Sequence, residues 1–415
     1  MKLTIAAFGL GALTVATSLS AQMPSRTGQD EPKPQAVSEA NQPGLKPSSG
    51  ALKAVVELQT AVNASDYASV PAKVAAAQQV AKTKEDRYII GQLQLKAALA
   101  AKDNAGMSAA IDAIAASGYI DSTKTGALYQ SLGASLYNAK QFDQAAAALD
   151  KAIAANPRDP EALIMLGETR NAQGRKADAV ALLQRAIQVT AASGQKPREE
   201  IYKRAVGLAY DGQLPVATDL GRQWVVAYPG PDSWRNAIAI YRNLNRPDVE
   251  GTLDLLRLMQ TTGALNAAAD YSLFASAAAD QTNYVEAQSV IDAGIAAKIV
   301  DPARPDFRDI VAGLNSKPKT TAADLAEAEK TAQTGAAMVR VGDRYFGLGQ
   351  NAKAADLYRK AIAKGGIDAN VANLHLGMAL ARSGDKAGAA AAFKAVSGPR
   401  SDIAKFWLLY VQPNG

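Results

Sequence analysis

The sequence predicts an all-α chain built as a stack of helix hairpins, and three observations carry that prediction. Hydrophobic residues make up 48% of the 415 positions but aromatics only 6%, so the apolar content is largely alanine. Alanine is the strongest helix former and adds little volume, which suits closely packed helices better than one large core. No stretch alternates Val, Ile, Thr or aromatic residues between turn signals, as a strand would. Finally, the chain repeats itself: residues 126–159 align on 160–193 with a spacing of 34, and a second in-phase pair follows near the C-terminus.

Taken in order, residues 1–21 read as a secretory signal. Lys2 supplies the positive start, Leu3 to Val15 the apolar run, and Ser18, Ser20 and Ala21 the small-residue end, with cleavage after Ser20 or Ala21. The run is too short and too glycine-broken to span a bilayer, and no later segment reaches membrane length, so no span is expected in the mature chain. Residues 22–50 hold five prolines among Ser, Gln, Gly and charged residues and read as a flexible linker. Residues 51–125 have the spacing of degenerate hairpins, with Leu95, Ala98, Met107, Ile111 and Ile114 as apolar positions.

The array proper is expected over 126–299. Leu132, Gly133, Ala145, Leu149 and Ala152 recur as Leu166, Gly167, Ala179, Leu183 and Ala186. Tyr129, Leu132 and Leu136 share one face of a first helix, and Ala145, Leu149 and Ala152 form the inner stripe of a second. Gly133 is expected opposite Ala145, two small residues that let the helices close to contact. Pro157 ends the second helix and resets the chain. Such a hairpin cannot bury its apolar face alone; neighbours stacked on it do so. Residues 300–320 hold three prolines and further breakers and read as a linker or hinge, with one degraded repeat as the alternative. Residues 321–415 then carry the second pair: Gly342, Gly349, Ala354 and Tyr358 recur 35 residues on as Gly377, Gly384, Ala389 and Phe393. Ile403, Phe406, Trp407 and Tyr410 place an apolar stripe on a last helix, expected to cap the array.

These residues resemble the tetratricopeptide-repeat family, most closely at 126–159. Weaker copies extend the pattern through Val206, Gly207, Tyr210, Ala217 and Pro229, through Trp234, Ile238, Tyr241, Gly251 and Leu255, and through Tyr271, Phe274, Ala275, Ala278, Ala287 and Ile291. The resemblance implies a right-handed superhelical solenoid of antiparallel helix pairs, with seven good or fair repeats. It also implies a concave wall lined by the first helix of each pair, which receives peptides or partner domains. Carried over position by position, the groove candidates are Tyr137, Asn138, Glu168, Asn171, Arg204, Arg235, Arg242 and Asn243, with Gln130, Ile164, Leu208, Asp343, Phe346, Leu374 and Met378 beside them. Arg204, Arg235 and Arg242 would share one stretch of wall suited to a carboxylate or acidic segment. The lysine and asparagine pattern with which cytosolic chaperone adaptors hold a C-terminal carboxylate is absent there.

The search for chemistry finds no catalytic, cofactor or metal motif. Cysteine is absent, which removes disulfides, thiol catalysis and thiolate metal sites together. The one histidine, His375, has no ligand-like neighbours in sequence and reads as a packing or surface residue. Glu85–Asp86 and Glu199–Glu200 sit near expected helix starts, and Asp324, Glu327 and Glu329 on an exposed helix face. The glycine-rich stretches belong to the signal and to a hairpin turn, neither following a strand. A net charge of +6 over this length is a weak field, and no basic run interleaved with aromatics appears, so nucleic acid is not expected.

The function these observations predict is a non-enzymatic scaffold or adaptor, without cofactor or metal, holding a protein or peptide in its groove. Its location is the periplasm, with secretion as the alternative. A different class of partner, envelope polysaccharide bound or helped in its export, would call on Tyr137, Trp234 and Tyr241 as aromatic platforms.

Overall fold

The computed structural model describes residues 45–412. The signal at 1–21 and the linker up to residue 44 lie outside them. All elements among the described residues are helical, and they group into two compact units divided after Gln195, inside the stretch 126–299 read as one array.

The first unit holds α1 (Leu52–Asn63), α2 (Val70–Val80), α3 (Lys84–Ala101), α4 (Asn104–Ser117), α5 (Ser122–Asn138), α6 (Phe142–Ala155), α7 (Pro160–Ala172) and α8 (Lys176–Ala192). Each helix packs on the next in sequence, as a stack of antiparallel pairs requires. Helix starts are set by acidic caps: Asp121 accepts from the Lys124 amide at 2.8 Å, and Asp159 from those of Glu161 and Ala162. Pro160 occupies the first turn of α7, where its missing N–H costs nothing.

The repeated glycines do their work differently from expectation. A Cβ on Gly133 would lie 2.5 Å from Leu149 Cγ, so the neighbour that fills the glycine's space is Leu149, not Ala145. Gly342 faces Tyr358 and Gly377 faces Phe393 in the same way, whereas Gly167 meets the Ala179 carbonyl oxygen at 3.3 Å, as expected, with Leu183 Cγ at 3.4 Å. At Gly133, Gly342 and Gly377 the large side chain of the second helix enters the gap left by the glycine on the first. Ala145 is fully buried, but as part of the wall around that contact.

The end of the proline-rich stretch also differs. Ser48, inside the stretch read as flexible linker, is held by Asp86: its amide and its hydroxyl donate to the two carboxylate oxygens at 2.7 and 2.8 Å. Asp86 is fully buried, not solvated, and also accepts from the Lys82 and Thr83 amides. Burial alone would raise its carboxyl, but these donors hold it at about 2.

The second unit holds α9 (Glu199–Asp211), α10 (Ala217–Ala227), α11 (Pro231–Asn245), α12 (Val249–Thr261), α13 (Ala268–Asp280), α14 (Tyr284–Ala296), α15 (Pro305–Asn315), α16 (Ala322–Thr331), α17 (Gly335–Gly347), α18 (Asn351–Lys364), α19 (Ala369–Arg382), α20 (Lys386–Lys394) and α21 (Ser401–Val411), the last preceded by a 3-10 turn at 398–400. A single apolar core runs from Val225 to Val411. Residues 305–315, within the expected linker or hinge, form α15 on α13 and α14, while α16 lies on α17. The pair α13–α14 meets α17 directly, so these two helices do not interpose a full repeat. Gly207, read as a repeat glycine, is exposed with open space over it and takes no part in helix contact.

The C-terminal helix does more than close an end. α21 packs on α10, α12 and α19. Ile403, Phe406 and Trp407 are buried there; Phe406 meets Tyr241 edge-on and Trp407 stacks on Phe393. Gly251 leaves the room that Arg400 and Ile403 occupy. Arg400 then reaches Asp248 at 2.7 Å and Glu250 at 2.8 Å, and Arg222 reaches Asp402 at 3.3 Å. The chain's own end thus lies against the second helices α10 and α12 as well as against α19.

Candidate functional site

Buried charge concentrates in one place, on the facing sides of α12, α14, α17 and α19. Arg257 on α12 donates through Nε and Nη2 to the two oxygens of Glu286 on α14, at 2.9 and 2.7 Å. Its Nη1 donates to Asp254 Oδ1 at 3.0 Å. This forked geometry satisfies a planar guanidinium that has left water, which a point-charge lysine would not manage. Asn283, at the turn before α14, donates to Glu286 at 2.8 Å and to the Asp343 carbonyl at 3.1 Å. α17 comes this close because Gly347 has no side chain: a Cβ there would lie 2.6 Å from Glu286 Cβ.

His375 on α19 completes the network. Its Nδ1 lies 2.9 Å from Asp343 Oδ1 and its Nε2 lies 3.2 Å from Asp254 Oδ1. Neither N–H points along those lines, so both contacts are charge pairs rather than aligned hydrogen bonds. Burial would push the imidazole's pKa down, but the two carboxylates override it and hold the ring protonated, up to about 10. Burial would likewise raise Asp343, yet His375, Arg257 and the Tyr358 hydroxyl, which donates at 2.7 Å, bring it below the usual carboxylate range. The sequence reading of His375 as a packing or surface residue is therefore corrected. It is buried between two carboxylates from other helices.

Above this network opens a cleft of about 230 Å³ lined by Glu250, Arg257, Asn283, Arg340, Asp343, Arg344 and His375, among others. Arg340 is exposed and Arg344 half-buried at its rim. Burial raises Glu250, which Arg400 contacts. Among the described residues no group of three or more His, Asp or Glu side chains converges as metal ligands. No helix there is long and apolar enough to cross a membrane.

The groove candidates fall into distinct settings. Asn138 is exposed on α5, and Tyr137 beside it is half-buried against Phe142 with ring centroids 5.5 Å apart. Glu168 and Asn171 are half-buried on α7. Arg204 is exposed on α9. Arg235 is committed to Asp270 at 3.0 Å, and Asn243 donates to the Tyr210 hydroxyl at 3.0 Å. Arg242 is half-buried, and desolvation lowers its guanidinium despite the nearby Asp270. Leu208, Phe346, Leu374 and Met378, considered groove-facing, are core residues instead. Trp234 and Tyr241 are also buried, which removes two of the three aromatic platforms a polysaccharide would use.

Residues 131–197 and 341–402 match the family model described as tetratricopeptide repeat. These two stretches are tetratricopeptide repeats. Both matched stretches contain the glycine-to-large-residue contacts described above, Gly133 with Leu149 and Gly377 with Phe393 among them. Similar solved structures include a tetratricopeptide repeat protein from Parabacteroides merdae, 13% identical, covering 79% of this chain and 99% of that one, with a TM-score of 0.26. Pseudomonas aeruginosa pilF is 10% identical over 64% of this chain and 97% of its own, with a TM-score of 0.26. The maize pentatricopeptide repeat protein PPR10 is 13% identical over 86% and 52%, with a TM-score of 0.27. No curated protein matches the sequence.

The residues hidden from a sequence reading are those of the charge network. Asp254, Glu286, Asp343 and His375 sit on four different helices, each flanked by ordinary repeat residues. A weak signal was present: polar residues at 254, 257, 286 and 375 interrupt apolar stripes whose neighbours are mostly buried.

Proposed function

We propose that this protein is an exported scaffold, placed in the periplasm, that holds a protein or peptide partner on the first-helix faces of its repeats and performs no chemistry of its own. One observation carries the reading: the repeats are arrayed as stacked helix pairs, an architecture whose product is extended contact surface. The buried charge network supports it. Its members are spent on each other, Arg257 on Glu286 and Asp254, and Asp343 on His375 and Tyr358. The first unit is the favoured seat of the partner, because Asn138 is open on α5, whereas in the second unit Leu208, Phe346, Leu374 and Met378 are buried in the core and Arg235 is committed to Asp270.

Crosslinking in intact cells followed by mass spectrometry tests this. A discrete envelope protein captured reproducibly is expected. Capture of nothing, or retention only on polysaccharide, refutes the reading. The mass of the chain recovered from the envelope fraction tests export: an N-terminus at Ala21 or Gln22 is expected, and an intact Met1 contradicts it.

A further inference from the structure

α1 packs inward on α2 and α3 and, among the described residues, leaves an apolar outer face open. Leu52 is 43% exposed and Val56 39%, four residues apart and so on one stripe of the helix. Thr60 continues the stripe, and its hydroxyl is spent within the helix, donating to the Val56 carbonyl at 2.8 Å. α2, the other helix of the pair, presents Ala72, Ala75 and Ala76 to solvent. An end pair of a repeat stack ordinarily carries a polar outer face, because no neighbour stacks on it. This pair does not. Charge on α1 has a pattern of its own. Lys53 and Glu57 are both exposed, stand one turn apart and flank the Leu52–Val56 stripe on the same side. Among the described residues neither enters an ion pair or a side-chain hydrogen bond. Lysine ahead of glutamate is the less favourable order within one helix. It suits a second helix running the other way.

We infer that the outer face of α1 is a self-association surface whose occupant is a second copy of this chain, the two α1 helices lying antiparallel. A two-fold axis crossing α1 near Val56 sets the Leu52–Val56 stripe of one copy against that of the other. The same axis carries each Lys53 to the other copy's Glu57, so one contact repeats as two reciprocal ion pairs. A foreign helix could match the apolar stripe. A second copy also supplies both missing charges, from the positions that lack them. The inference goes beyond the partner-holding function and does not depend on it, since Asn138 and Asn171 lie on α5 and α7 and stay open in such a dimer.

Sedimentation equilibrium of the chain from Gln22 onward tests this. A monomer–dimer equilibrium in the micromolar range is expected, weaker at high salt, as suits a small interface with exposed ion pairs. Val56→Glu is expected to leave monomer alone. Lys53→Glu and Glu57→Lys each set like charges across the axis and are expected to weaken the dimer about tenfold. The variant carrying both changes restores the two pairs in reversed order and is expected to regain the wild-type affinity. Gln188→Glu, exposed on α8, leaves association unchanged. All four positions are exposed, so Tm by circular dichroism holds and a lost dimer is not a lost fold. Monomer at every concentration overturns the inference and leaves the face to the chain's own first residues or to an unrelated protein. A dimer that survives Val56→Glu overturns it too, because association then lies elsewhere. So does a defect in the single charge variants that the double variant does not repair.

Discussion

Two glycines at the same repeat position are expected to respond oppositely to one added methyl. At Gly133 the new Cβ would lie 2.5 Å from Leu149 Cγ and 2.8 Å from its Cδ2, against an ordinary carbon contact of about 3.5–4.0 Å. Leu149 would have to retreat by about 1 Å. It is fully buried and packed with Ala146 and Leu166, so it has nowhere to go. Overpacking of that kind costs about 1–3 kcal/mol, while replacing glycine by alanine inside a helix returns about 1 kcal/mol, leaving Gly133→Ala destabilised by up to about 2 kcal/mol. At Gly167 the nearest atoms, the Ala179 carbonyl oxygen and Leu183 Cγ, lie at 3.3 and 3.4 Å. A shift of a few tenths of an ångström suffices there, so Gly167→Ala is expected to be neutral or to gain up to about 1 kcal/mol. Urea unfolding followed by circular dichroism reads both. All three tryptophans lie in the second unit, so the change belongs to signal that tryptophan fluorescence does not follow. Leu149→Ala alone should cost about 2–5 kcal/mol, and in its background the Gly133→Ala penalty should vanish. Equal stability of the two alanine variants, or a Gly133 penalty that persists without Leu149, would refute this packing account.

Other outcomes follow from the second unit. Glu286→Ala leaves Arg257 buried and half-paired and is expected to cost about 3–5 kcal/mol, visible as a lower Tm by tryptophan fluorescence. His375 titrates near 6.5 when unfolded and about 10 when folded, so its stabilisation is complete below about pH 6.5 and lost as pH rises through about 10. The wild-type midpoint should fall over that alkaline range, and His375→Gln, less stable throughout, should show a flatter profile. Trp407→Ala removes a fully buried side chain that anchors α21 and should cost about 3–5 kcal/mol. Lys140 holds a left-handed backbone, φ 59°, at the turn where the next repeat has Gly174. Lys140→Gly should raise stability by a few tenths to about 1 kcal/mol in chemical denaturation, and a loss would show that the turn is not strained.

What the sequence made legible was what repeats. Leu132, Gly133, Leu149 and their partners at 166, 167 and 183 recur because each pair solves the same local packing problem, so period alone exposes them. The register across the hairpin was less accessible: Ala145 and Leu149 share one stripe, and spacing does not say which of the two fills the space at Gly133. Prolines misled at 300–320, since Pro305 occupies the first turn of α15, where proline starts a helix rather than breaking one. The charge network was illegible for a topological reason. His375 meets Asp343 and Asp254 only after α12, α17 and α19 have stacked, and no local pattern records that meeting. The fate of α21 was hidden likewise: its apolar stripe was plain in Ile403, Phe406 and Trp407, but not that it turns back onto α10 and α12.

The claim that the first-helix faces carry partner contact is tested most directly by photocrosslinking from defined positions in the cell. A photoreactive residue at Asn138 or Asn171 on the first helices is compared with one at Gln144 or Gln188, both exposed on second helices. The same discrete protein adduct from 138 and 171, with little or none from 144 and 188, is the predicted result. Adducts from the second-helix positions alone, or from none of the four, would contradict it.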